Sequence, residues 1–202
     1  MKADLNKFKN RNVNVCGWNL YKGFSVFVPI VERTEGHSLL FEVRSENLNQ
    51  QPREICFPGG KIENQEENAK AAVRETSEEL LIPEYKIEVI GELDTLVTPF
   101  NTVIYPFTGI LYDYKDTYNT DEVKEIFYVP VAHLMEAKPL CHYIDIEMKP
   151  REGFPYDMIQ SGRNYPWAKG RYPVYFYTFE ERIIWGITAR IMHNFIEVLK
   201  HL

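Results

Sequence analysis

The sequence predicts an α+β protein, an α/β/α sandwich in which one mixed β-sheet is flanked by helices. Three observations carry that expectation. Runs dense in β-branched and aromatic residues recur along the chain, and two segments place apolar residues at helical spacing. The length of 202 residues, with 45% hydrophobic and 14% aromatic content, suits one well-filled domain.

In chain order, "FSVFVPIV" (24–31), "SLLFEV" (38–43) and "EICF" (54–57) read as strands. So do "KIEVIGEL" (86–93), "TVIYPFTGILY" (102–112), "EIFYVPV" (125–131) and "PVYFYTF" (173–179). A helix is expected over 66–81, with Ala69, Ala72, Val73, Thr76 and Leu80 on one stripe. A second covers 186–200, where Ile187, Ile191, Phe195 and Leu199 repeat the pattern. A short helix should follow Pro130, because proline suits a first helical turn. Residues 149–172 are rich in Pro, Gly and Tyr and read as a long inserted loop. One domain over 1–202, with an N-terminal extension over about 1–20, is the expected organisation.

Charge and cysteine usage narrow the function. The net charge of −6 argues against duplex nucleic acid as a partner, since phosphate binding needs a basic face. An anionic substrate would need local arginines, lysines or a metal ion. Cys16, Cys56 and Cys141 are far apart and form no CxxC pair, so neither a disulfide framework nor a zinc site is indicated. A reducing, cytoplasmic compartment is the simplest reading. The polar start lacks a signal-peptide core, and no apolar run is long enough to span a membrane. The ending Lys200-His201-Leu202 is a weak match to a peroxisomal tripeptide.

The chemistry concentrates in "FPGGKIENQEENAKAAVRETSEELLI" (57–82). On the expected helix Glu75 and Glu79 lie one turn apart and Glu78 stands beside them, away from the Ala69/Val73/Leu80 stripe. Like charges so placed destabilise a helix by about a few tenths of a kcal/mol per pair. Such a ridge is either a solvated face or a seat for hard divalent cations, which take carboxylate oxygens and substrate phosphates. Gly59 and Gly60 either make a turn or let backbone groups approach an ion closely.

Gly60, Glu66, Arg74-Glu75, Glu78-Glu79 and Ile82 stand in the register G-x5-E-x7-R-E-U-x-E-E-x-G-U, where U is bulky and apolar. The chain therefore resembles a Nudix hydrolase, with Thr76 in place of an apolar residue and Leu81 in place of the second glycine. The resemblance implies the Nudix fold and metal-assisted attack of water on a diphosphate. By it, Glu75, Glu78 and Glu79 would hold Mg²⁺ or Mn²⁺, with the Gly60 carbonyl as a further ligand. Arg74 would orient the carboxylates by pairing with Glu66 or Glu75.

The preceding segment, with Leu39, Leu40, Arg44, Ser45, Leu48 and Phe57–Gly60, is similar to the motif upstream of the box in coenzyme A pyrophosphatases. Resemblance to that subfamily extends over most of residues 20–200, with Arg53 standing where its motif has glycine. It implies a small-molecule substrate, CoA or a related nucleotide diphosphate, cleaved to 3′,5′-phosphorylated adenosine and 4′-phosphopantetheine. Homodimers are a family expectation. Arg44, Arg53 and Lys61 are candidate phosphate contacts, or else surface cations. Glu122 and Glu125 are candidate general bases, or else solvated charges at a strand entrance. His133, His142 and His193 read as structural. The loop tyrosines and Trp167 would stack on adenine, line a pantetheine channel or fill a subunit interface. Two other readings stand beside CoA hydrolysis: the same reaction on NADH or ADP-ribose, and a non-catalytic ligand-binding module.

Overall fold

In a computed structural model, residues 14–63 and 66–201 are described, together with Asn6 and Lys9. Most of the predicted N-terminal extension and Leu202 of the C-terminal tripeptide lie outside the described residues. The centre is a mixed sheet built from β1 (Lys22–Arg33), β2 (Gly36–Arg44), β3 (Ile55–Cys56), β4 (Gly59–Lys61), β5 (Ile87–Glu92), β6 (Leu96–Thr98), β7 (Thr102–Leu111) and β8 (Val123–Pro130). β1 runs parallel to β7, whereas the other pairings are antiparallel. β1 changes partner along its length: Ile30–Arg33 pair with β2, and Phe24–Val26 pair with β4.

Both faces of this sheet are covered, so β2 reads as an unbroken buried run from Ser38 to Val43. On one face, helix α1 (Asn68–Leu80) packs Ala72 and Leu80 against Phe27, Val31, Leu40 and Phe107. On the other, α2 (Val131–Glu136) and α3 (Gly186–His201) cover Leu39, Phe41 and Val129 with Leu134, Met192 and Ile196. Phe41 stacks between Phe57 at 4.6 Å and Phe127 at 5.3 Å, which pins the strand leading into Gly59-Gly60. Aromatic pairs of this kind contribute about 0.5–1.5 kcal/mol each beyond their burial. Among the described residues no helix is long and apolar enough to cross a membrane.

All seven predicted strands and the three helices form, with ends shifted by a few residues. The 149–172 excursion is a loop as far as residue 168, and only its last four residues join a strand. It is the connection within an antiparallel hairpin of β9 (Leu140–Glu147) and β10 (Lys169–Phe179), and with β11 (Arg182–Trp185) this makes a second, three-stranded sheet. Its aromatics pack on one another, Phe154 edge-on to Tyr156 and Trp167, and Tyr165 edge-on to Trp167. The three histidines also find ring partners. His133 meets Phe179, His142 meets Phe176, and His193 stacks on Tyr175 with Nδ1 2.7 Å from the Tyr177 hydroxyl oxygen.

Leu81 closes α1 in the left-handed conformation, with φ 51° and ψ 40°. That position favours glycine, because a side chain there crowds its own carbonyl by about 1–2 kcal/mol. Leu81 is exposed, so its side chain returns little through burial. Leu81→Gly should therefore stabilise the fold by about 0.5 kcal/mol, after the extra chain entropy of glycine is subtracted. Chemical denaturation with an unchanged slope reads the effect; a lower midpoint would contradict it.

Candidate active site

Two close backbone approaches assemble the site. At Gly59, φ is 154° and an added Cβ would collide with the carbonyl of Ser25 and with Val26, so only glycine lets this segment lie against β1. At Gly60 an added Cβ would overlap the carboxyl of Glu75, so the glycine holds open the space beside that acid. The Gly59 amide donates to Glu79 Oε2 at 2.8 Å, tying the strand end to the last turn of α1.

Arg74 organises the remaining acids. Its Nη2 donates to Glu66 Oε1 at 2.8 Å and its Nε to Glu66 Oε2 at 3.3 Å. Nη1 lies 2.9 Å from Glu75 Oε1 and 3.4 Å from Glu78 Oε2. One guanidinium thus spans three carboxylates, which offsets the repulsion expected from their spacing. The pairing holds the Glu66 carboxyl below its ordinary range and raises the Arg74 pKa further.

The three box glutamates occupy different environments. Glu78 is open to solvent, with a side chain 59% exposed. Glu75 is half-buried and its pKa is raised, chiefly by desolvation. Glu79 is only 5% exposed, which corrects the expectation that all three project away from the buried face. Burial, reinforced by Glu122 and Glu75, pushes its pKa up to about 8 even though the Gly59 amide favours the charged form.

The end of α1 also fixes the candidate base. Thr117 Oγ1 donates to the Leu80 carbonyl at 2.8 Å and the Asn119 amide to the Glu79 carbonyl at 2.7 Å, so the loop after β7 satisfies carbonyls the helix leaves open. The same loop delivers Glu122, held by the Ser45 amide on its carbonyl at 2.8 Å and by Asn119 Nδ2 on Oε1 at 3.3 Å. Glu125 instead faces Arg182 of β11 at 3.5 Å.

Glu75, Glu79, Gly60, Glu122 and Arg44 line one cavity of about 910 Å³. Phe100, Ile144, Tyr172, Val174, Trp185 and Ile187 add apolar surface to its lining, with the acids Asp145 and Glu147 among them. Arg44 Nε donates to the Gln50 carbonyl at 3.3 Å. Arg53 and Lys61 do not line this cavity. Arg53 takes the left-handed conformation suited to the motif's glycine, φ 64°, and binds Glu46. Lys124 also donates to Glu46 at 2.6 Å, and the two cations hold that carboxyl down to about 2. Lys61 is exposed, and its carbonyl accepts from Arg74 Nη2 at 3.4 Å.

Sequence reasoning passed over Glu42, which lies 1% exposed on β2, and the cavity residues Ile144, Val174 and Trp185 of the second sheet, whereas Tyr172, one of the tyrosines read as a channel lining, does line the cavity. Period-two alternation over Ile144-Asp145-Ile146-Glu147 was a usable signal for β9.

Oxygen-rich donors beside a glycine-cleared space suit a hard divalent cation. Among the described residues, no three acidic, histidine or cysteine side chains yet converge on one point, because Glu79 is held by Gly59 and Glu75 and Glu78 by Arg74.

Comparison with known proteins places the chain in a family. The NUDIX domain model matches residues 22–148. The mouse protein named peroxisomal coenzyme A diphosphatase NUDT7 is 33% identical over 70% of this chain, although the match spans 56% of the mouse protein. Uncharacterized Nudix hydrolase NudL of Escherichia coli K12 is 30% identical over 84% of this chain and 79% of its own length. A MutT/nudix family protein from Enterococcus faecalis superposes with a TM-score of 0.53 at 14% identity, over 98% of this chain and 70% of that one. Nudix hydrolases act on nucleotide diphosphates and generally need divalent metal ions. With the family model matched over more than half of the chain, the chain belongs to the Nudix hydrolase family and is a pyrophosphohydrolase.

Proposed function

We propose that this hydrolase cleaves the diphosphate of coenzyme A or its derivatives, with Mg²⁺ or Mn²⁺, releasing 3′,5′-phosphorylated adenosine and 4′-phosphopantetheine. One observation carries the reading: a single cavity is lined both by metal-suited acids of the box and by apolar side chains of the second sheet and α3. CoA has a part for each, a diphosphate followed by an extended arm. The upstream motif and the name of the mouse relative support the same substrate.

In this reading Glu75, Glu79 and, after rotation, Glu78 hold the cations with the Gly60 carbonyl, and Arg74 keeps the carboxylates oriented. Bound divalent ions would neutralise phosphoryl oxygens and lower the pKa of attacking water. Arg44, at the cavity wall, pairs with a phosphate of the substrate. Glu122 is the better placed of the two candidate bases, since it borders the cavity while Glu125 is paired with Arg182. Water then attacks one phosphorus in line with the departing oxygen, a reaction governed by positioning and charge.

The partner is a small molecule and not a nucleic acid; a homodimer is the expected assembly. A cytoplasmic location is the first choice, with the peroxisome as the alternative raised by the mouse relative's name. Product analysis of a CoA digest, with and without Mg²⁺, tests the substrate. Initial rates on CoA, NADH and ADP-ribose at equal concentration should favour CoA. Far faster turnover of ADP-ribose would overturn the assignment.

A further inference from the structure

Beneath the α1 acids lies a carboxylate that the box does not contain. On β2, Glu42 shares a face with Leu40, which packs toward α1, so the strand's alternation aims it under the helix. The side chain is 1% exposed, and its Oε1 has no hydrogen-bond partner. Oε2 receives the Cys56 thiol at 3.9 Å, a weak donor. Its strand neighbours across β3 and β8 are Cys56 and Ile126, neither of which brings a positive charge.

The charges around it make the orphan oxygen harder to explain as packing. Burial and the neighbouring Glu79, then Glu122, raise the Glu42 pKa well above its ordinary value, opposed by Arg44. Arg44 has its Nε committed to the Gln50 carbonyl. An unpartnered buried acid is destabilising, and proteins keep few of them without a use. Glu42 is not itself in the cavity lining, but Cys56, whose thiol reaches it, and Glu79, whose charge acts on it, both are.

We propose that Glu42 is a further ligand of the divalent-cation site, reaching an ion directly or through one water, so that the site draws a carboxylate from β2 as well as from α1. This rests on the reading that the α1 acids hold such ions. A fourth acid raises cation affinity by adding charge and oxygen donors. It also fixes the ion from the sheet side, opposite the helix.

The test is Mn²⁺ binding to the full chain, purified metal-free, followed by electron paramagnetic resonance and by thermal melts. Wild-type protein should bind Mn²⁺ and melt higher with it. Glu42→Gln should bind about tenfold or more weakly and gain less melting temperature from Mn²⁺. Its metal-free melting point should be unchanged or raised, because a buried acid with an unpartnered oxygen is gone. Equal affinity and equal Mn²⁺-induced shift in the two proteins would make Glu42 a structural acid and overturn the inference alone. Failure of wild type to bind Mn²⁺ would overturn the underlying reading as well. Should Glu42→Gln not fold, Glu42→Met, of similar size and needing no polar partner, carries the same comparison.

Discussion

Glu79→Gln lowers diphosphate hydrolysis by at least about a hundredfold while the protein stays folded. The substitution is close to isosteric, and glutamine's amide oxygen can accept the Gly59 amide hydrogen that Oε2 accepts at 2.8 Å. The strand end therefore stays tied to α1. What disappears is the negative charge at the most buried of the box acids, 5% exposed and bordering the cavity. A neutral amide cannot compensate a divalent ion, and in a low-dielectric pocket that charge is worth far more than on the surface. Steady-state rates on CoA with Mg²⁺ or Mn²⁺, beside circular dichroism spectra, read the two halves of the expectation. Wild-type turnover with a wild-type spectrum would remove Glu79 from the site.

How much of this was legible in the residues depends on what decided each feature. The strands that carry β-branched and aromatic runs were readable because their burial is local chemistry. β4 was not, since Gly59-Gly60-Lys61 has no strand signature; it pairs because β1 offers Phe24–Val26 and the bare Gly59 can lie against Ser25 and Val26. The end of β9 alternates in sequence, yet nearly all of the strand is exposed, so hydrophobic density gave little sign of it. The acidic ridge was visible as spacing, but its burial was not. Projecting α1 from Ala69 and Val73 turns the acids outward. Projecting it from Ala72 and Thr76, which are fully buried, puts Glu79 on the covered side. Glu42 hid inside an apolar run because β2 is covered on both faces, so alternation no longer separates core from site. Arg53 illustrates the opposite case. Its motif position was readable, whereas its pairing with Glu46 depends on an acid that also serves Lys124.

In the metal-free state, stability falls as pH rises from about 4.5 to about 8. Glu79 has its folded pKa raised from 4.5 to about 8, mainly by burial. Between those values the unfolded chain has released the proton and the folded chain retains it, so each step up in pH favours unfolding. The stabilisation is fully present below about 4.5, is lost through this window and changes little above it. Glu42 and Glu75, whose pKa values are also raised, act in the same direction. Glu66 and Glu46 are shifted downward, so their contributions vanish only in acid, below the window. A single group that stays protonated only in the folded chain makes stability fall by on the order of 1.4 kcal/mol for each pH step of one inside the window. A domain of this size loses about 2–4 °C of melting temperature per kcal/mol. Melts in EDTA across pH 5–8.5 should therefore drop by several degrees toward the alkaline side. Glu79→Gln should flatten the slope, because it removes the group that holds the proton. Excess Mg²⁺ should flatten it too, since an ion takes over the charge compensation that protonation provides. A melting temperature that climbs with pH in EDTA would mean that these acids are already ionised and solvated in the folded protein, and the buried, cation-seeking character of the site would go with them.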